Sequence, residues 1–343
     1  MTETIHKFYI QAANIHTGGG LALLNMLIKD LQVETKIYVD ERAKGKLHKN
    51  DKAIFVHVKP RLLSRLLLEV RLFFLATNQD YILFFTNLPP LLKTRSKNIL
   101  FLQNQLLISS YNLKEFSFKN RLRIRIERFL LKNMISNIDS IYVQSSEMQN
   151  LCKKKFTKPC YLMPFFAFNF PLSVDLDKFE KKYDFIYVTS DDPHKNNTRL
   201  VKAFALLALE DIRPKLCLTL KPDTSSKTIN QLKELIEKYN LDISFEVFDS
   251  KESKDELYLS SKALLFPSEE ESMGLPLLEA QEYSIDIIAS EKGFTRDFIE
   301  PVETFDPASS HSIARAIKRY LILTNDKISI KNPEQFLNEI FSL

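Results

Sequence analysis

The amino-acid sequence predicts an α/β protein built as two doubly wound domains facing across a cleft. Short apolar, β-branched and aromatic runs alternate with helical patterns, and the series occurs twice along the chain. Such alternation implies parallel sheets covered on both faces. The length of 343 residues exceeds twice the common domain size. Charge divides the chain as well. Residues 1–170 hold 26 Lys and Arg against 12 Asp and Glu, a net of +14, while the remainder holds 22 against 31, a net of −9.

In the first half the expected strands are Phe8–Ala13, Lys36–Val39, Ile54–Val58, Tyr81–Phe85, Asn98–Leu102 and Ser140–Val143, with helices near 21–31, 61–77, 119–135 and 146–155. The second half restarts with Asp184–Val188, Lys215–Leu220, Ile243–Phe248, Ala263–Pro267 and Asp286–Ala289. Its helices fall near 195–209, 224–240, 253–261, 275–283 and 309–323. Between the series, residues 163–182 contain two prolines and no clear period, as a linker would. The expected organisation is a first domain at 1–165, a linker at 166–182, a second domain at 183–325 and a terminal helix at 326–343.

The first ten residues lack the long apolar run of a secretory signal, and Arg65, Glu69 and Arg71 interrupt the most apolar stretch. A cytoplasmic protein is expected. Cys152, Cys160 and Cys217 have neither the number nor the spacing of a disulfide framework or zinc site. The six histidines show no ligand spacing, and Asp175-Leu-Asp177 lies in the linker, so no metal is expected.

Only six glycines occur, and three are consecutive at Gly18, Gly19 and Gly20. A chain this poor in glycine should keep it where backbone geometry excludes a Cβ. The turn is neither a dinucleotide fingerprint nor a P-loop. The densest chemistry lies at ALLFPSEEESMGLPLLEA, residues 263–280. A buried strand ends at Pro267, an acidic loop follows, Gly274 allows close backbone approach, and Pro276 suits the first turn of a helix. That helix start offers free N–H groups to a phosphate. Glu271 and Glu279 flank it, so both can face one pocket and accept hydrogen bonds from sugar hydroxyls. Carboxylates that merely complement the helix dipole are the plainer alternative.

Glu271-Ser-Met-Gly-Leu-Pro-Leu-Leu-Glu279 resembles the E-x7-E motif of family 4 retaining glycosyltransferases, with FPS at 266–268 and AS at 289–290 in the same frame. The resemblance covers nearly the whole chain, most strongly residues 184–308. It implies the GT-B fold of two Rossmann-like domains, the first binding acceptor and the second binding nucleotide sugar. It implies that Glu279 holds the ribose, that Glu271 meets the transferred sugar, and that amides at Gly274 and Leu275 meet the donor phosphates. Met273, also expected among the donor-binding residues, stands where the family usually has Phe or Tyr. DFIYVTSDDPHKNNTRLVKAFALL, residues 184–207, resembles the unit that opens the family's second domain. There Lys195 would bind pyrophosphate, with Ser190 beside it. Thr189 replaces a frequent Arg, and Lys221 is the substitute cation.

IQAANIHTGGGLALLNMLIKDL, residues 10–31, resembles the family's first strand–turn–helix, which brings Gly19 and Gly20 to the donor with His16 adjacent. After the strand NILFLQNQ, relatives place a His where Gln103 and Asn104 stand here. These amides could hold sugar hydroxyls but could not act as acid or base. The implied activity is a metal-independent hexosyltransferase that uses a nucleoside-diphosphate sugar and needs no cofactor.

RLLSRLLLEVRLFFL (61–75) and KNRLRIRIERFLLKNM (119–134) interleave Arg with large apolar residues, a pattern that suits an anionic membrane surface. The plainer alternative makes the apolar positions core. No nucleic-acid recognition motif accompanies them. The combined expectation is an enzyme peripheral to the inner membrane face that extends a lipid-linked saccharide for a bacterial surface polysaccharide such as lipopolysaccharide or capsule. The rivals are a sugar-nucleotide epimerase of the same fold and a sugar-nucleotide-binding protein without turnover.

Overall fold

The structure, a computed structural model, describes residues 7–168, 179–221, 227–248 and 250–325. The expected C-terminal helix, most of the linker and Asp175–Asp177 lie outside the described residues.

The first half forms a parallel sheet from β1 (Phe8–Ala12), β2 (Thr35–Asp40), β3 (Ala53–Val58), β4 (Tyr81–Phe84), β5 (Lys97–Leu102), β6 (Ser140–Val143) and β7 (Cys160–Leu162), in the order β3-β2-β1-β4-β5-β6-β7. Its helices are α1 (Gly18–Lys29), α2 (Leu62–Leu75), α3 (Phe118–Met134) and α4 (Ser146–Lys155). The second half pairs β8 (Tyr183–Tyr187), β9 (Leu216–Leu218), β10 (Ile243–Phe245), β11 (Ser261–Phe266), β12 (Asp286–Ser290) and β13 (Glu303–Phe305) in the order β10-β9-β8-β11-β12-β13, again all parallel. Helices α5 (Asn197–Ala208), α6 (Lys227–Tyr239), α7 (Lys251–Leu259), α8 (Leu275–Glu282), α9 (Gly293–Arg296) and α10 (Ser310–Asn325) complete it. In each sheet the winding reverses beside the first strand, at β1/β4 and at β8/β11. Those switch points open crevices at the strands' carboxyl ends, where such folds bind ligands.

Strand β11 shows why these residues make a central strand. Ala263, Leu264, Leu265 and Phe266 are all buried because helices cover both of its faces. The two domains also share core. Met273 and Leu278, from the second half, pack with Ile10, Leu24, Phe85 and Phe101 of the first. Burying two such side chains contributes roughly 1.5–3 kcal/mol each.

Two local expectations change. Helix α1 begins at Gly18, so Gly19 and Gly20 lie within its first turn rather than before it. Lys195 lies in a 3-10 turn, Pro193–Lys195, ahead of α5, because Asn196 adopts left-handed backbone (φ 64°) and separates the two. Asn tolerates that conformation best among residues with a Cβ. Its side-chain amide donates to the carbonyls of Pro267 and Pro307, which hold the bend.

Candidate functional site

The loops leaving β8 and β11 meet at the second switch point. The backbone N–H of Glu269 donates to the carbonyl of His194 at 2.8 Å, and Ser268 Oγ approaches the same oxygen. Tyr187, fully buried in β8, donates its hydroxyl to the carbonyl of Lys195. This scaffold sets Lys195 Nζ 2.5 Å from Glu271 Oε1, which also accepts from Ser268 Oγ at 2.7 Å. Both side chains keep a small exposed fraction, 17% and 13%, so the pair is reachable yet largely shielded. A charge-assisted contact in such a setting is stronger than one in water.

Glu279 has its own set of partners. Lys254 Nζ donates to Oε1 at 2.7 Å and Tyr258 OH to Oε2 at 2.8 Å, both from α7. Each glutamate of the spaced pair is therefore matched to a lysine. They do not share the small cavity of about 120 Å³ in the cleft, which Glu271 lines and Glu279 does not. Glu279 is the fifth residue of α8, and the helix turns it toward α7 instead.

Gly274 caps α8 with φ 68°, and a Cβ there would come within 2.9 Å of Leu277 Cδ1. A Cβ on Gly19 would meet Leu275 Cδ1 at 3.1 Å, so the glycine turn of the first domain lies against the start of α8. Met273, expected among the donor-binding residues, does not present its side chain to the cavity. It is 1% exposed, within the shared core, with Sδ 3.9 Å from the Gln144 amide, so only its backbone can reach a ligand.

Gln103 and Asn104 line the cavity. Both backbone N–H groups donate to Asn87 Oδ1, and the Gln103 amide donates to the carbonyl of Phe85. His16 is half-buried beyond β1, with Nδ1 3.3 Å from the Asn14 carbonyl. Ser190 donates to Asp192 and accepts from Asn197 at its carbonyl. Thr189 takes a neutral path where an Arg is frequent. Its N–H donates to Thr219, which lies two residues before the exposed Lys221.

Sequence reasoning missed the bonds that close the cleft. Tyr111 donates to Glu269, Gln105 to Glu270, and Ser146 through N–H and hydroxyl to Asp297. Arg199 pairs with Glu269 at 2.6 Å. Burial, reinforced by Glu147, raises the Glu270 carboxyl above its ordinary range. His194 lines the cavity and stacks on Phe116 of the first domain, with ring centroids 6.1 Å apart.

Burial lowers the His194 pKa, partly offset by Glu271. Its folded value thus lies below the unfolded value of about 6.5, and the unfolded chain takes up the proton first. His194 should contribute stability above about pH 6.5 that is lost as pH falls through its lowered folded value. His194→Phe keeps the ring against Phe116 and removes the titration. Its melting temperature should decline less than the wild type's between pH 7 and 5, and equal declines would refute this assignment.

Two parallel sheets of this winding, facing across a cleft, make the GT-B architecture. Residues 171–334 match the family model of glycosyl transferases group 1, so the half that carries Lys195, Glu271 and Glu279 is a group 1 glycosyltransferase domain. No curated protein matches the chain by sequence. Among solved structures, sucrose-phosphate synthase from Thermosynechococcus elongatus shares 14% identity at TM-score 0.70, over 93% of this chain and 90% of that one. The Anabaena protein HepE in complex with UDP-glucose shares 16% at TM-score 0.70, over 93% and 90%. An α,α-trehalose-phosphate synthase (UDP-forming) from Burkholderia vietnamiensis shares 11% at TM-score 0.65, over 92% and 91%. Likenesses at these identities establish the fold.

Proposed function

We propose that the protein transfers a hexose from a nucleoside diphosphate to a lipid-linked saccharide, with retention of anomeric configuration. The observation that carries this reading is the Lys195–Glu271 contact beside the glycine-capped start of α8. The ammonium and the helix N-terminus supply positive potential for a leaving diphosphate, and Glu271 supplies an acceptor for sugar hydroxyls. The donor phosphate itself takes the proton of the incoming hydroxyl, so the protein contributes positioning and charge stabilisation. UDP-glucose, bound by the Anabaena relative, is the first donor to test. Turnover should rise when a bacterial cell-envelope lipid extract is added and stay unchanged in EDTA. Absence of turnover across a nucleotide-sugar panel would overturn the transferase reading, and a strict Mn²⁺ requirement would overturn metal independence.

The membrane side of the proposal rests on α2 and α3. Their inner positions Leu68, Leu72, Ile124 and Leu131 are buried, but Leu62, Leu63, Leu67, Phe74, Phe118 and Phe129 are all more than half exposed. The apolar positions are thus only partly core, and the exposed ones stand among arginines as an interfacial surface does. Each Lys or Arg near an anionic bilayer is worth about 1 kcal/mol, and the attraction is screened within about 10 Å at moderate salt. The protein should float with phosphatidylglycerol vesicles, less so at high salt. It should lose this when Arg61, Arg71, Arg121, Arg123 and Arg125 become Gln. Equal binding to neutral vesicles, or binding to neither, would remove the membrane from the proposal.

A further inference from the structure

A second polar cluster lies on the same edge of the first sheet as the glycine turn, apart from the Lys195–Glu271 pair. Strand β2 ends in Asp40, which is fully buried. Its carboxylate accepts from Arg42 through the backbone N–H at 3.0 Å, Nε at 2.9 Å and Nη2 at 2.7 Å. Arg65, in the first turns of α2, brings its own Nη2 to 3.5 Å. Burial alone would raise the Asp40 carboxyl, but the Arg42 hydrogen bonds, with the charges of Arg42 and nearby His16, hold it below the usual range. A fixed carboxylate therefore faces two guanidiniums, and both guanidinium side chains remain substantially exposed, at 47% and 37%.

The bond from Asp40 to Arg42 also closes the turn at Glu41–Ala43, which gives Arg42 a structural duty. That duty does not explain the second cation. Neighbouring hydrogen-bonding capacity is also unused. Arg65 Nε, Asn14 Oδ1, Gln11 Oε1 and Tyr38 OH are buried without a partner among the described residues, and Gln11 and Tyr38 are cross-strand neighbours. Buried polar atoms left unpaired in this way are uncommon and call for an explanation. The position is equally specific. On one side, His16 leads into Gly18–Gly20, where Gly19 lies against Leu275 of the second domain. On the other, α2 opens with exposed Leu62 and Leu63. The two guanidiniums thus stand between the cleft and an exposed apolar helix face.

We infer that Arg42 and Arg65, braced by Asp40, bind the phosphate of an amphiphilic acceptor whose hydrocarbon chain runs along α2. This rests on the transferase reading above and specifies which groups hold the acceptor. Guanidinium forks match phosphate oxygens in geometry as well as charge. The probe is n-octyl phosphate below its micelle concentration, with n-octyl β-glucoside and inorganic phosphate as the other arms. Arginine Nε–H resonances of the wild-type protein report binding directly.

The expected result is a saturable shift of the Arg42 and Arg65 signals with octyl phosphate and none with octyl glucoside. Inorganic phosphate should bind at least tenfold more weakly. Arg42→Gln should raise the octyl phosphate dissociation constant tenfold or more, with Arg42→Lys, which keeps a cation beside Asp40, intermediate. Unmoved arginine signals in the wild type overturn the inference whether or not a variant folds, and so does equal affinity in a folded Arg42→Gln. Equal affinity for inorganic phosphate overturns the lipid assignment. UDP binding by the same wild-type sample is measured alongside. Protein that binds UDP but not octyl phosphate would refute this site and leave the transferase reading standing.

Discussion

Glu279→Ala is expected to weaken binding of the donor's nucleoside diphosphate ten- to a hundredfold, about 1–3 kcal/mol. Glu279 already accepts from Lys254 and Tyr258, which fix the carboxylate in one orientation. A carboxylate has about four acceptor positions, so two remain for adjacent ribose hydroxyls. The side chain keeps a 14% exposed fraction, enough for a ligand to reach and too little to be bathed in water. Truncation also strands the buried Tyr258 hydroxyl and the Lys254 ammonium, so a lower melting temperature should accompany the loss. Glu279→Gln separates the effects, since it keeps a neutral acceptor for Tyr258. Calorimetry with UDP decides the assignment. Unchanged affinity in folded Glu279→Ala would remove Glu279 from the ribose site.

Much of the architecture was legible because the physics that forms it is local. Central strands such as β11 read as continuous apolar runs, and the helices between them carry the longer period, so the order of elements follows from alternation alone. Strands β7 and β13 escaped notice because each is a short edge strand with one buried residue, whereas the equally short β9 and β10 lie within longer apolar runs at 215–220 and 243–248. The spaced glutamates and Lys195 stood out through their neighbours in the chain. Their partners did not. Lys254 and Tyr258 are four apart on one face of α7, a spacing ordinary for any helix, and only the packing of α7 against β11 and α8 gives that face its role. Met273 illustrates the same limit. Its chain position beside Gly274 suggests ligand contact, whereas its side chain turns into the first domain's core. The bonds of Tyr111 to Glu269 and Gln105 to Glu270 join residues more than 150 positions apart and depend on how the domains face each other.

Glu271→Ala should lower turnover about a hundredfold while UDP affinity stays within about threefold, because its partner in the proposed reaction is the sugar, not the nucleotide. Lys195→Ala should cost turnover on the order of 10²–10³-fold and weaken UDP as well, since its ammonium is assigned to the diphosphate. The two side chains touch at 2.5 Å, and each variant also removes the other's partner. A lone Glu271 keeps Ser268 as a donor, whereas a lone Lys195 has no second hydrogen bond among those described for its ammonium. The effects should therefore fall short of multiplying. The double variant is expected to be no slower than the worse single by more than about threefold, the signature of groups that act as a unit. Single-turnover rates at saturating donor, with UDP affinities measured separately, resolve the three cases. If Glu271→Ala abolished UDP binding in a folded protein, its place at the sugar would be wrong. If the losses multiplied fully, the pair would be two independent residues rather than one preorganised site.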